Sequence, residues 1–153
     1  MLSPRPAQRM SPAHPGLGLA IVIGAGLAIP TTSQAADAPS LGVELNKLEI
    51  YDKGCRAYVV INNIGEQAFQ SVKLDLVLFQ PDGVIARRFA VDLAPLKAAK
   101  KTVKLFDIEG LACDKIASVL VNDVMDCKAD AGTIPDCLTK MTLSSVAGAP
   151  LNK

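Results

Sequence analysis

Apolar and polar residues alternate with a period of two along much of the chain, the spacing of strands that bury one face and wet the other. Cys55, Ala57, Val59 and Ile61 interleave with Arg56, Tyr58, Val60 and Asn62, and the polar, glycine-containing Asn62-Asn63-Ile64-Gly65 ends that run. Val72, Leu74, Leu76 and Leu78 interleave with Lys73, Asp75, Val77 and Phe79 in the same way. Gln80-Pro81-Asp82-Gly83 follows directly, a turn in which proline presets φ and glycine accepts positive φ at the exit. Val84 to Leu93 then returns as the second arm of a hairpin.

Four further segments complete the pattern. Val43 to Tyr51 predicts a first strand whose apolar parity shifts between Leu45 and Leu48, the mark of a bulge. Lys101 to Ile108 predicts a fifth strand, and Ile116 to Met125 a sixth that is apolar on both faces, as a central strand is. A last strand is expected from Cys137 to about Leu143. Ala94 to Lys101 has room for a helical turn, limited by Pro95. About seven short strands without a long amphipathic helix predict an all-β fold, a single immunoglobulin-like antiparallel β-sandwich.

The first 35 residues do not join this pattern. Arg5 and Arg9 form a positive start, Gly16 to Ile29 is an uncharged apolar run between Pro15 and Pro30, and Ser33-Gln34-Ala35 supplies the small residues that a signal peptidase reads. The run is shorter than the ~20 residues that span a bilayer as a helix. The expected organisation is a signal peptide over 1–35, a flexible segment over 36–42, the sandwich over 43–146 and a flexible tail over 147–153. Export places the mature chain in the periplasm or outside the cell, with no transmembrane segment after processing.

Processing at Ala36 changes the chemistry available. It removes His14, the single histidine of the chain, and keeps all four cysteines, which an oxidising compartment turns into disulfides. If successive strands alternate in direction, Cys55 and Cys113 fall at one end of the sandwich while Cys127 and Cys137 flank a turn at the other. This favours the pairs Cys55 with Cys113 and Cys127 with Cys137 among the three connectivities that four cysteines allow. No Cys-x-x-Cys and no close ligand pair suggests zinc.

Val59-Val60-Ile61-Asn62-Asn63, the run Val72 to Phe79, Asp82-Gly83-Val84-Ile85 and Leu96 to Phe106 resemble the FxLYD-type and related sandwich domains of bacterial extracytoplasmic proteins. With Gly54-Cys55-Arg56-Ala57-Tyr58 and Asn122-Asp123-Val124, the mature chain is also similar to small exported bacterial proteins labelled as twin-arginine-signal proteins, although Arg5 and Arg9 are not adjacent. The resemblance implies a fold and a location and carries no activity with it.

Charge narrows the partners. The mature chain holds 14 basic and 15 acidic residues, which gives no global attraction to nucleic acid. Arg87, Arg88, Lys97, Lys100, Lys101 and Lys104 form a candidate anionic-ligand patch, with protection of a sheet edge as the competing reading. Asp123, Asp126, Asp130 and Asp136 gather in sequence around Cys127 and Cys137, but Lys128 stands where a calcium loop wants an oxygen ligand. Ser144 and Ser145 lack a histidine base, a serine–lysine pair would need Lys140 or Lys153, and Met125 and Met141 are too few for a copper carrier. No catalytic residue, metal ligand or cofactor is expected. The sequence favours a non-enzymatic exported accessory or binding protein, in contact with an envelope protein or an anionic envelope component. A small carboxylate-dependent hydrolase acting on an envelope glycan is the alternative.

Overall fold

The computed structural model describes residues 40–153. The expected signal peptide, His14 and residues 36–39 lie outside the described residues. In chain order the strands are β1 (Leu41–Tyr51), β2 (Gly54–Asn63), β3 (Phe69–Phe79), β4 (Ile85–Asp92), β5 (Lys100–Glu109), β6 (Ser118–Ala129), β7 (Gly132–Thr133), β8 (Met141–Ser145) and β9 (Leu151–Asn152). They build a β-sandwich of two sheets: one has the order β5-β2-β1-β8, and the other runs β4-β3-β6 with β7 and β9 both paired to β6. The chain changes sheet between β2 and β3, β4 and β5, β5 and β6, β7 and β8, and β8 and β9, the crossover habit of immunoglobulin-like sandwiches.

The alternation in the sequence becomes the division between core and surface. Leu41, Val43, Leu45, Val59 and Ile61 of one sheet pack against Val72, Leu74, Leu78, Val119 and Val121 of the other. The register of β1 on β2 shifts between Leu45 and Lys47, where the parity of the sequence breaks, and this keeps Leu48 half-buried on the core side. Gly83 takes φ of 83°, as the turn between β3 and β4 requires, and Asp82 Oδ1 accepts the Val84 amide 3.0 Å away.

Two disulfides hold the frame. Cys55 at the start of β2 bonds Cys113, in the 3₁₀ turn Cys113–Lys115 that leads into β6, and Cys127 of β6 bonds Cys137. Both pairs are those that strand alternation favours.

Two segments differ from expectation. Cys137–Lys140 is a 3₁₀ turn, so the strand predicted from Cys137 begins only at Met141. The Thr139 amide and hydroxyl both bond the Asp136 carbonyl oxygen, which uses locally the backbone group that a ladder would need. The segment 147–153 is not a loose tail: β9 pairs with β6, the Val119 amide donates to Pro150 O, and Ala149 is buried. Residues 41 and 42 likewise belong to β1, opposite Asn63 and Asn62. The stretch from Ala94 to Lys101 forms no helix; Leu96 exchanges two backbone hydrogen bonds with Phe69 instead.

Candidate functional site

The outward positions of the four-stranded sheet line up in rows across β5, β2 and β1. Val103, Val60 and Glu44 form one row, Leu105, Tyr58 and Lys47 the next, and Asp107, Arg56 and Glu49 a third. Facing residues on one side of an antiparallel pair stand about 5 Å apart, close enough for each row to interact.

The charged rows are interlocked. Arg56 grips Asp107 through both nitrogens of its fork, with Nη2 to Oδ2 at 2.8 Å, and its guanidinium stacks 3.4 Å from the centre of the Tyr51 ring. Glu49 accepts hydrogen bonds from the Lys47 ammonium and the Tyr58 hydroxyl, both at 2.6 Å, while Lys47 lies 5.2 Å from the Tyr58 ring centre. These contacts hold the carboxylates ionised: the Lys47 and then the Tyr58 hydrogen bonds push Glu49 below its ordinary pKa, and Arg56 does the same to Asp107. The bond to Glu49 raises the Tyr58 phenol, because a proton donated to a carboxylate is harder to remove. Beside this framework Val103 and Leu105 are 53% and 48% exposed, so apolar surface meets a geometrically fixed set of charges.

The six basic residues of the candidate patch do not form one cluster. Arg88 points outward from the other sheet, where it holds Asp75 bidentately (2.8–3.1 Å), a carboxylate only 6% exposed that also accepts from Asn122 Nδ2 at 2.7 Å. Its neighbour Arg87 points to the opposite side of β4 and lines a shallow depression of about 520 Å³ with Tyr51, Asp52, Lys53, Asp107 and Glu109. Lys100 and Lys101 stand at the far end of the sandwich beside Asn63 and Asn62, and Lys97 lends its carbonyl oxygen to Asn63 Nδ2. Lys104 sits between these ends, its ammonium 2.9 Å from the Ala94 carbonyl oxygen. Consecutive residues of a strand point to opposite faces, and that separates Arg87 from Arg88.

The acidic group is also dispersed. Asp130 accepts from Gln70, Asp126 from Lys128, and Asp123 caps the Val124 amide. Among the described residues no cluster of His, Cys, Asp and Glu is arranged to hold a metal ion. Met141 is buried and Met125 lies 61% exposed, in unlike surroundings. Ser145 Oγ bonds the carbonyl oxygens of Leu45 and Ala149, and Lys153 Nζ those of Leu138 and Met141. Of the three carboxylates at the depression, Asp107 is committed to Arg56. Between the sheets lies an enclosed gap of about 40 Å³ lined only by apolar side chains such as Leu48, Leu76, Phe89 and Phe106. Without polar partners such a gap stays dry, and it is too small for anything larger.

Sequence reasoning placed Arg56, Tyr58 and Val60 on one wet face but missed what they do there, because Asp107 is 51 residues from Arg56. The signal that was present is the matching alternation of Lys101 to Ile108.

No family model and no curated protein matches the chain. Among solved structures, IrmA from Escherichia coli superposes on 67% of this chain and 89% of its own, with a TM-score of 0.48 and 11% identity. No helix among the described residues is long and apolar enough to cross a membrane.

Proposed function

We propose that the protein is a non-enzymatic accessory or binding protein of the bacterial envelope, periplasmic or secreted after loss of a signal peptide, and that it recognises a protein partner with the outer face of the four-stranded sheet. The observation that carries this reading is the juxtaposition on that face of exposed Val103 and Leu105 with the interlocked Tyr51, Arg56, Asp107, Tyr58, Glu49 and Lys47. Side chains already held by one another lose little freedom on binding, so contact with them costs less. Aromatic rings and arginine next to apolar surface make up the typical composition of an interface core. The charges of the face balance, two basic against two acidic in the locked rows, which favours a protein over a polyanion. Two disulfides fit an oxidising compartment.

The test is retention of the purified, disulfide-bonded protein on the isolated envelope fraction. Wild type and Lys73→Glu, a change on the opposite sheet, should be retained equally, and Val60→Glu should lose roughly tenfold in affinity, the scale of one interface anchor. Equal retention of all three overturns the reading, as does release of soluble glycan by the wild-type protein, which would make it a hydrolase.

A further inference from the structure

We propose that two copies of the chain pair antiparallel along β5 about a twofold axis at Leu105, joining the two four-stranded sheets into one of eight strands. β5 pairs with β2 from Gly54 opposite Glu109 to Asn63 opposite Lys100 without a register shift, and among the described residues no strand pairs with its other side. It is ten residues long, whereas the other sheet edges are β4 with eight, β8 with five, and β7 and β9 with two each. A long regular edge presents a row of unpaired backbone donors and acceptors, and proteins usually blunt it with proline, a bulge or a charge. β5 has neither proline nor bulge.

It does have lysines, but they are placed to favour self-pairing. Lys100, Lys101 and Lys104 occupy its first half and Asp107 and Glu109 its second. An antiparallel second copy therefore lays basic against acidic, and a parallel one lays like on like. Facing residues must share a side of the sheet, which leaves few registers. Centred on Leu105, the register sets Lys101 opposite Glu109, Val103 opposite Asp107 and Leu105 opposite its own copy on the outer side. On the inner side it sets Lys104 opposite Phe106 and Thr102 opposite Ile108. No like charges meet. Centring on Lys104 would oppose two ammonium groups, and centring on Val103 or Phe106 would leave the charges unmatched. Lys104, the lysine nearest the middle, is drawn aside to the Ala94 carbonyl oxygen. Pairing also brings the two copies of Leu105 side by side, flanked by Val103, on a joined outer face that stays open.

Sedimentation velocity of the purified, disulfide-bonded protein over a range of concentrations tests this, independently of any envelope partner. Wild type should show a concentration-dependent monomer–dimer equilibrium. Lys101→Glu and Glu109→Lys should each weaken it roughly tenfold, since the twofold repeats each change at two opposing pairs. The combined K101E/E109K variant should restore it. Circular dichroism and thermal midpoint establish that each variant is folded, and both residues are exposed, so folding should not suffer. A wild-type protein that stays monomeric up to about 1 mM, the weak end of specific association, overturns the proposal. So does a dimer that both single reversals leave intact, or one that the double reversal fails to restore.

Discussion

Asp75 shows how much a single outward residue of this sandwich can carry. Arg88 and then Asn122 hydrogen-bond its carboxylate and hold its pKa below the ordinary aspartate value. Glu49 and Asp107 are lowered too, by Lys47 and Tyr58 and by Arg56 respectively. A carboxyl group whose pKa falls on folding adds stability that is complete above its unfolded value, near 4, and is lost as the pH drops through its folded value. Stability should thus be flat from pH 7 to about 5 and then decline in acid. Asp75→Asn should be less stable than wild type at pH 7, with the gap narrowing progressively as the pH falls below about 4 in urea titrations. A gap that persists unchanged in acid would show that the ionised carboxylate is not what stabilises. Asn63 illustrates the limit of legibility at this scale. The turn that it begins is plain in the sequence, and its bonds to the Gly65 amide and Gln67 O lie within that turn, but its bond to Lys97 O depends on the loop after β4, more than 30 residues away.

The elements were legible where one face is buried along the whole strand. β1 to β5 follow the period-two pattern, the central β6 shows instead as a run apolar on both faces, and the bulge in β1 falls where Leu45 and Leu48 break the alternation. β9 was not legible, because its two residues are fixed by pairing with Val119 and Leu120 rather than by any local preference. The basic cluster failed for a reason that the alternation already contained: adjacent Arg87 and Arg88 cannot share a face. The disulfide pairs followed from strand direction, and their loop lengths predict unequal contributions. Cys55 and Cys113 are 58 residues apart and Cys127 and Cys137 only 10. Chain-entropy reasoning gives about 4 and about 3 kcal/mol respectively. Cys55→Ala/Cys113→Ala should therefore lower the unfolding free energy more than Cys127→Ala/Cys137→Ala in guanidinium titrations. The reverse order would mean that the short bridge also stabilises the folded turn after β7.

At the scale of the molecule, the two sheets expose unlike outer faces. That of the β4-β3-β6 sheet spends its buried charge on the Asp75, Arg88 and Asn122 contacts, while that of the β5-β2-β1-β8 sheet combines exposed valine and leucine with tyrosine and arginine. The account rests on the second face being the one that meets a partner. A photoreactive amino acid placed at Val60 of that face, or at Ala90 on the opposite sheet, tests this in the native envelope. The account predicts a discrete adduct from position 60, heavier than the chain by a protein other than a second copy, and none from position 90. Adducts from position 90 alone, or from neither position, would contradict it.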